Sequence, residues 1–147
     1  MKVEEIKMLL KKDFVKVMPL GLNEVTVASY GEVEAETKVL ADGTAKNFSA
    51  FVYINLVTDD GATAQVRFYD DEGEMTRLSA SLNAILMQLS GQIKATDFGE
   101  VLELLKTSKN KFKVVLKQVA DKGDTDKLYT NYYFDRNTIS NYSRRAR

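Results

Sequence analysis

The chain contains no cysteine and no histidine. Without thiols it can form neither a disulfide framework nor a thiolate site. Without imidazoles it loses the commonest general acid–base group, the Ser-His-Asp triad, and zinc sites built on His or Cys. For a metal, only carboxylate ligands remain. Tryptophan is also absent, and Pro19 is the one proline. No apolar run is long enough to cross a bilayer. The N-terminal MKVEEIKMLL is charged throughout and has no secretory h-region. These absences lead us to expect a cytoplasmic protein with no membrane partner, no cofactor and no catalysis.

Charge balances in total, with 21 basic and 21 acidic side chains, but not along the chain. Residues 31–73 hold three basic and nine acidic side chains, whereas residues 111–147 hold nine basic and four acidic ones. Either the two regions lie together and neutralise each other, or the basic quarter meets an anionic partner.

The most informative stretch is Asn47 to Asp71, NFSAFVYINLVTDDGATAQVRFYDD. Val52, Ile54 and Leu56 alternate with Phe51, Tyr53 and Asn55, and Val66 and Phe68 alternate with Gln65, Arg67 and Tyr69. This is the period of strands with one aliphatic face and one aromatic-polar face. Asp59-Asp60-Gly61 suits a three-residue turn with a left-handed glycine. That turn pairs Leu56 with Ala64, Ile54 with Val66, Val52 with Phe68, Tyr53 with Arg67 and Phe51 with Tyr69. A slip of one residue would mix the two faces.

Around this hairpin, residues 2–12 read as a short helix with Val3, Ile6 and Leu10 on one face. Phe14–Val17 and Glu24–Tyr30 read as strands, the latter broken by Gly31. Glu32–Leu40 reads as a half-buried strand ending in the turn Ala41-Asp42-Gly43-Thr44. Asp71 followed by Glu74 resembles a capping box opening a helix to about Ser90, with Met75, Leu78, Leu82, Ile85, Leu86 and Leu89 as its apolar stripe and Gly91 as its stop. A second helix opens at Thr96-Asp97, with Phe98, Val101, Leu102 and Leu105 on one face. A second hairpin pairs Lys111–Lys117 with Lys127–Phe134. Phe112, Val114 and Leu116 alternate with Lys111, Lys113, Val115 and Lys117, and Leu128, Thr130, Tyr132 and Phe134 alternate with Tyr129, Asn131 and Tyr133. The tail from Asp135 is polar, ends Ser-Arg-Arg-Ala-Arg, and is expected to be disordered.

Strands that follow one another in sequence favour an antiparallel sheet. The expected fold is mainly β: a five-stranded Greek-key OB-fold barrel with helices between its third and fourth strands and a short N-terminal helix. The expected limits are residues 1–31 for the helix and extension, 32–136 for the OB-fold domain and 137–147 for the tail.

The hairpin FVYINLVTDDGATAQVRFYD, the helix after it and the closing FKVVLKQ…KLYTNYYF together resemble the single-stranded DNA-binding proteins of bacteriophages. The resemblance covers about residues 32–136. It implies an OB fold that coats exposed strands in DNA replication or recombination, as a homodimer or in cooperative arrays, with replication or recombination proteins as partners. The basic ending differs from the acidic tip with a terminal phenylalanine that bacterial relatives use for recruitment.

The residue chemistry points the same way. Aromatic rings stack on any base, and Lys and Arg neutralise phosphates. Phe51, Tyr53 and Tyr69 are the candidate stacking platforms, and Arg67 the candidate phosphate or stacking partner. On the second hairpin, Lys113 and Lys117 share a face with Tyr129 and Tyr133. Lys111, Lys122 and Lys127 would extend a phosphate track, and Arg144, Arg145 and Arg147 would add salt-sensitive attraction. The structural alternatives are that rings simply fit a pleated sheet and that lysines guard an edge. Two rival functions remain: a phage-encoded protein-binding inhibitor or assembly factor acting through acidic residues 59–74, and a carboxylate–metal enzyme built on Asp59, Asp60, Asp70 and Asp71.

Overall fold

A computed structural model describes residues 16–145 apart from Thr96, Lys122 and Thr125. The helix expected over residues 2–12, and Phe14 and Val15 of the first expected strand, lie outside the described residues. So do Lys122, the side chains of Arg144 and Arg145, and Arg147. Val17 forms a single parallel bridge to Thr63.

The described residues form a five-stranded antiparallel sheet, with a two-stranded finger and three helices. The strands are β1 (Gly21–Val33), β2 (Glu36–Val39), β3 (Ala45–Phe48), β4 (Phe51–Val57), β5 (Thr63–Tyr69), β6 (Phe112–Ala120) and β7 (Leu128–Tyr133). The helices are α1 (Glu72–Gln88), α2 (Phe98–Ser108) and α3 (Arg136–Arg145). The sheet order is β5-β4-β1-β6-β7.

The long strand β1 joins the two hairpins. Its first part, Gly21–Val25, pairs with β6, and its second part, Thr26–Val33, pairs with β4. The register shifts between Val27 and Ser29, a bulge that lets one strand serve two directions. The sheet therefore begins at Gly21, not at Glu32, and the strand runs through Gly31. Gly31 is tolerated there because the Tyr53 ring lies across it: a Cβ at Gly31 would stand 2.5 Å from the Tyr53 hydroxyl oxygen.

The expected strand Glu32–Leu40 is divided. Its first residues end β1, and β2 pairs with β3 in an exposed finger inserted between β1 and β4, not in a half-buried strand. The expected turn at its tip is present: Leu40 N–H donates to Thr44 O (2.7 Å), with Gly43 at φ +85°.

The central hairpin has the register its alternation implied, from Phe51 opposite Tyr69 to Leu56 opposite Ala64. Thr58 N–H closes the turn onto Ala62 O (2.9 Å), leaving Asp59-Asp60-Gly61 as the loop with Gly61 at φ +88°. Ile54, Leu56, Val66 and Phe68 point inward and are buried. They meet Val25, Val27, Phe112, Val114 and Leu116 from the other strands, with Leu78, Leu82, Ile85, Val101, Leu102 and Leu105 from α1 and α2.

Each helix is opened by an aspartate. Asp71 accepts from Glu74 N–H (2.8 Å), Asp97 from Glu100 N–H (3.2 Å) and Asp135 from Thr138 N–H (3.0 Å). Of the four residues expected to share a face, Val101, Leu102 and Leu105 are buried, and Phe98, at the first position of α2, is 43 % exposed. The tail expected to be disordered forms α3, which packs on β1 and β6 with Ile139 buried and Tyr142 close over Gly21.

Among the described residues no ladder joins β5 to β7, so hydrogen bonding does not close the sheet into a barrel. Helix α1 crosses the opening instead. Near its start, the Arg77 guanidinium donates to the Arg67 carbonyl of β5 (2.8 Å) and lies over the Phe68 ring, 4.3 Å from its centroid. At its end, Gln88 accepts from Lys113 N–H (2.7 Å) and donates to the carbonyls of Lys113 and Phe134 (2.8 Å each). Side chains of one helix thus satisfy a free carbonyl of β5 and backbone groups of Lys113 and Phe134 at the start of β6 and the end of β7.

Candidate nucleic-acid interface

On the outer side of the central sheet, side chains fall into three rows. Cross-strand pairing aligns Val33, Phe51 and Tyr69, then Gly31, Tyr53 and Arg67, then Ser29, Asn55 and Gln65. The first two rows hold four residues expected at the site, and the structure brings them together. Phe51 and Tyr69 have ring centroids 5.5 Å apart, and Phe51 and Tyr53 are 6.5 Å apart, edge to face. Arg67 lays its guanidinium over Phe51, 4.6 Å from the ring centroid. Tyr69 is 40 % exposed, whereas Phe51 and Tyr53 are half-buried. Among the described residues no helix covers these rings: α1 and α2 pack against the inner face, which carries the buried residues.

The third row is polar and linked. Arg67 Nε–H donates to Gln65 Oε1 (2.7 Å), Gln65 Nε2–H to Asn55 Oδ1 (2.9 Å), and Asn55 Nδ2–H to Ser29 Oγ (2.8 Å). The chain crosses three strands, and among the described residues no carboxylate pairs with Arg67.

The second hairpin places Val115 opposite Tyr133, Lys117 opposite Asn131 and Val119 opposite Tyr129. Lys117, Tyr129 and Tyr133 therefore share an outer face, as their alternation implied. Lys117 Nζ stands 5.4 Å from the Tyr133 ring centroid, and Tyr129 is 53 % exposed. Lys113 is on the same face but apart: between it and Lys117 lies Val115, which is fully buried, and beyond it stand Glu24, Arg136 and Ile139. The fold of the tail into α3 is the reason.

The two hairpins meet across the unclosed seam. Gln65, Arg67 and Tyr69 of β5 and Tyr129 and Asn131 of β7 line one open groove of about 420 Å³, with Glu74 and Arg77 of α1 beside it. The groove follows from the missing ladder.

The other expected cations are placed differently. Lys111 donates to Asp59 (2.7 Å), which holds its ammonium above the usual value, so it is not a free phosphate contact. Lys127 is exposed next to β7. Of the four aspartates in the metal reading, Asp59, Asp60 and Asp71 have structural partners. Asp60 accepts from Thr58 and from Lys16 (3.0 Å), which lowers its carboxyl to about 2. Asp71 caps α1. Among the described residues no group of three or more potential ligands forms a metal site.

Two features were not read from the sequence. One is the Ser29–Asn55–Gln65–Arg67 chain, which needs the β1–β4 register. The other is on the finger, where Lys38 and Lys46 are direct neighbours and hold their ammonium groups 5.5 and 5.2 Å from the Phe48 ring centroid. The turn at Asp42-Gly43 was a sufficient signal for that pairing, had the register been followed outward from it.

No protein-family model and no curated protein matches the chain. The described residues define a class: a mainly β domain with a five-stranded antiparallel sheet, three helices, and rings and cations gathered on its outer side.

Proposed function

We propose that the protein binds single-stranded DNA without strong sequence preference, coating exposed strands in replication or recombination. The observation that carries the reading is the Phe51–Tyr53–Tyr69 cluster with Arg67 stacked on it, uncovered by any of the described helices and continuous with Tyr129 through the seam groove. Such rings offer π-faces to unpaired bases, and the guanidinium meets phosphate or base. Tyr133 with Lys117 extends the path, and the finger with Lys38, Lys46 and Phe48 stands where β1 hands over to β4.

The pairing order also supports an OB-type reading. A long first strand shared by two hairpins, with a helix between the third and fourth sheet strands, fits a Greek-key barrel that is left partly open. One such face covers few nucleotides, so pairing of two copies or cooperative binding along the strand belongs to the proposal. So does membership of the bacteriophage single-stranded DNA-binding proteins.

The test is a comparison of a labelled oligo-dT with a duplex of equal length across a salt series. The expected outcome is preference for the single strand and a log-linear fall in affinity with salt. Equal binding to both, or none to either, overturns the proposal and favours a protein partner at the acidic loop and helix start around residues 59–74.

A further inference from the structure

We infer that the row of polar side chains beside the rings is a base-reading edge that favours guanine-type over adenine-type purines. This inference rests on the single-strand reading above and refines its lack of strong sequence preference.

Arg67 fixes the direction of the chain. A guanidinium has hydrogens to give and no lone pair to accept with. Its Nε–H therefore requires the oxygen of Gln65, at 2.7 Å. With its oxygen so placed, Gln65 presents its amide nitrogen to Asn55, which must answer with oxygen, at 2.9 Å. Asn55 in turn gives its nitrogen to Ser29 Oγ, at 2.8 Å, and leaves the serine hydrogen free. The order is set by the chemistry of the arginine, not by an arbitrary choice between amide rotamers.

Each amide oxygen already holds one donor and keeps one lone pair, while each amide nitrogen keeps one N–H to offer. Arg67 adds its terminal N–H groups and Ser29 its hydroxyl hydrogen. Donors therefore outnumber acceptors along the row. A free Asn or Gln recognises adenine by accepting from N6 and donating to N7, and here the accepting half is engaged within the protein. Donors alone suit the O6 and N7 acceptors of guanine or hypoxanthine. The row is the next one on the same face after Tyr53 and Arg67, two residues along the strands, so a purine stacked on Tyr53 has an edge within reach of it.

The experiment measures d(TTI)4, d(TTG)4 and d(TTA)4 binding to the native chain by anisotropy at one salt concentration. Hypoxanthine differs from adenine at the six-position of the ring, so stacking is held nearly constant. The expected result is about tenfold tighter binding of the inosine and guanine oligomers than of the adenine one. In Gln65→Met, which removes the amide from an exposed position, the ratio should fall to about one. In Gln65→Glu, which still accepts from Arg67 but offers oxygen outward, the ratio should reverse toward adenine. Equal native affinity for inosine and adenine oligomers, or a ratio unchanged in both variants, overturns the inference and leaves single-strand binding standing. Failure of all three oligomers to bind overturns the underlying reading itself.

Discussion

The outer faces of the two hairpins use similar residues differently. On β4–β5 the rings touch one another, Arg67 stacks on Phe51, and its Nε is held by Gln65. On β6–β7 the rings stand apart, Tyr129 is more exposed, α3 packs on β6, and Val115 in the middle of the face is fully buried. The first is an assembled platform whose side chains already share partners, so ordering them on binding costs little. The second is a looser, cationic annex. Composition alone would rank them the other way, because the lysines are in the C-terminal quarter.

The sharpest way to break this comparison is charge reversal on each face. Arg67→Glu should lower oligo-dT affinity about 100-fold at low salt, because it removes the cation from the platform and repels phosphate. Lys117→Glu should do less, and the reverse order in the same anisotropy titration would move the site to the second hairpin. Ring deletion comes next. Phe51→Ala should cost about 2 kcal/mol of binding and Tyr129→Ala about half as much, within the range for one stacked base. Both variants should retain native circular dichroism.

Gly31→Ala tests whether the platform must be assembled. The new methyl displaces the Tyr53 ring without deleting it. Affinity should fall about threefold to fivefold with all rings present, within what one stacked base is worth; unchanged affinity would mean that ring position is irrelevant. For the annex, Lys117→Ala should reduce the slope of log affinity against log salt by about 0.7, the value for one phosphate contact on a single strand.

The smallest effect concerns the turn below the platform. Asp60 is lowered from 3.8 to about 2, first by the Thr58 hydroxyl and then by Lys16. A depressed carboxyl stabilises the fold above its unfolded value, and that contribution is lost as the pH falls through the folded one. The melting-temperature difference between the native chain and Asp60→Asn should therefore hold at neutral pH and vanish as the pH falls toward about 2.

The parts legible in the sequence were those set by local rules. Strict alternation and Asp59-Asp60-Gly61 fixed the register of the central hairpin, and Asp71 with Glu74 marked the start of α1. Long-range packing decided the rest. Gly31 looked like a strand break because its reason for being there, the Tyr53 ring, comes from another strand. The tail looked disordered because Ile139 and Tyr142, its main apolar anchors, are scattered among polar residues. The seam groove and the polar row were illegible for the same reason. Each depends on which strands lie side by side, and alternation along one strand does not specify that.

The most direct measurement uses the protein's own emission. With no tryptophan, intrinsic fluorescence comes from its seven tyrosines, several of them on the proposed surface. Titration with poly-dT at low salt should quench that emission to a plateau, and added salt should restore it. Unchanged emission at saturating polymer would contradict base stacking on these rings.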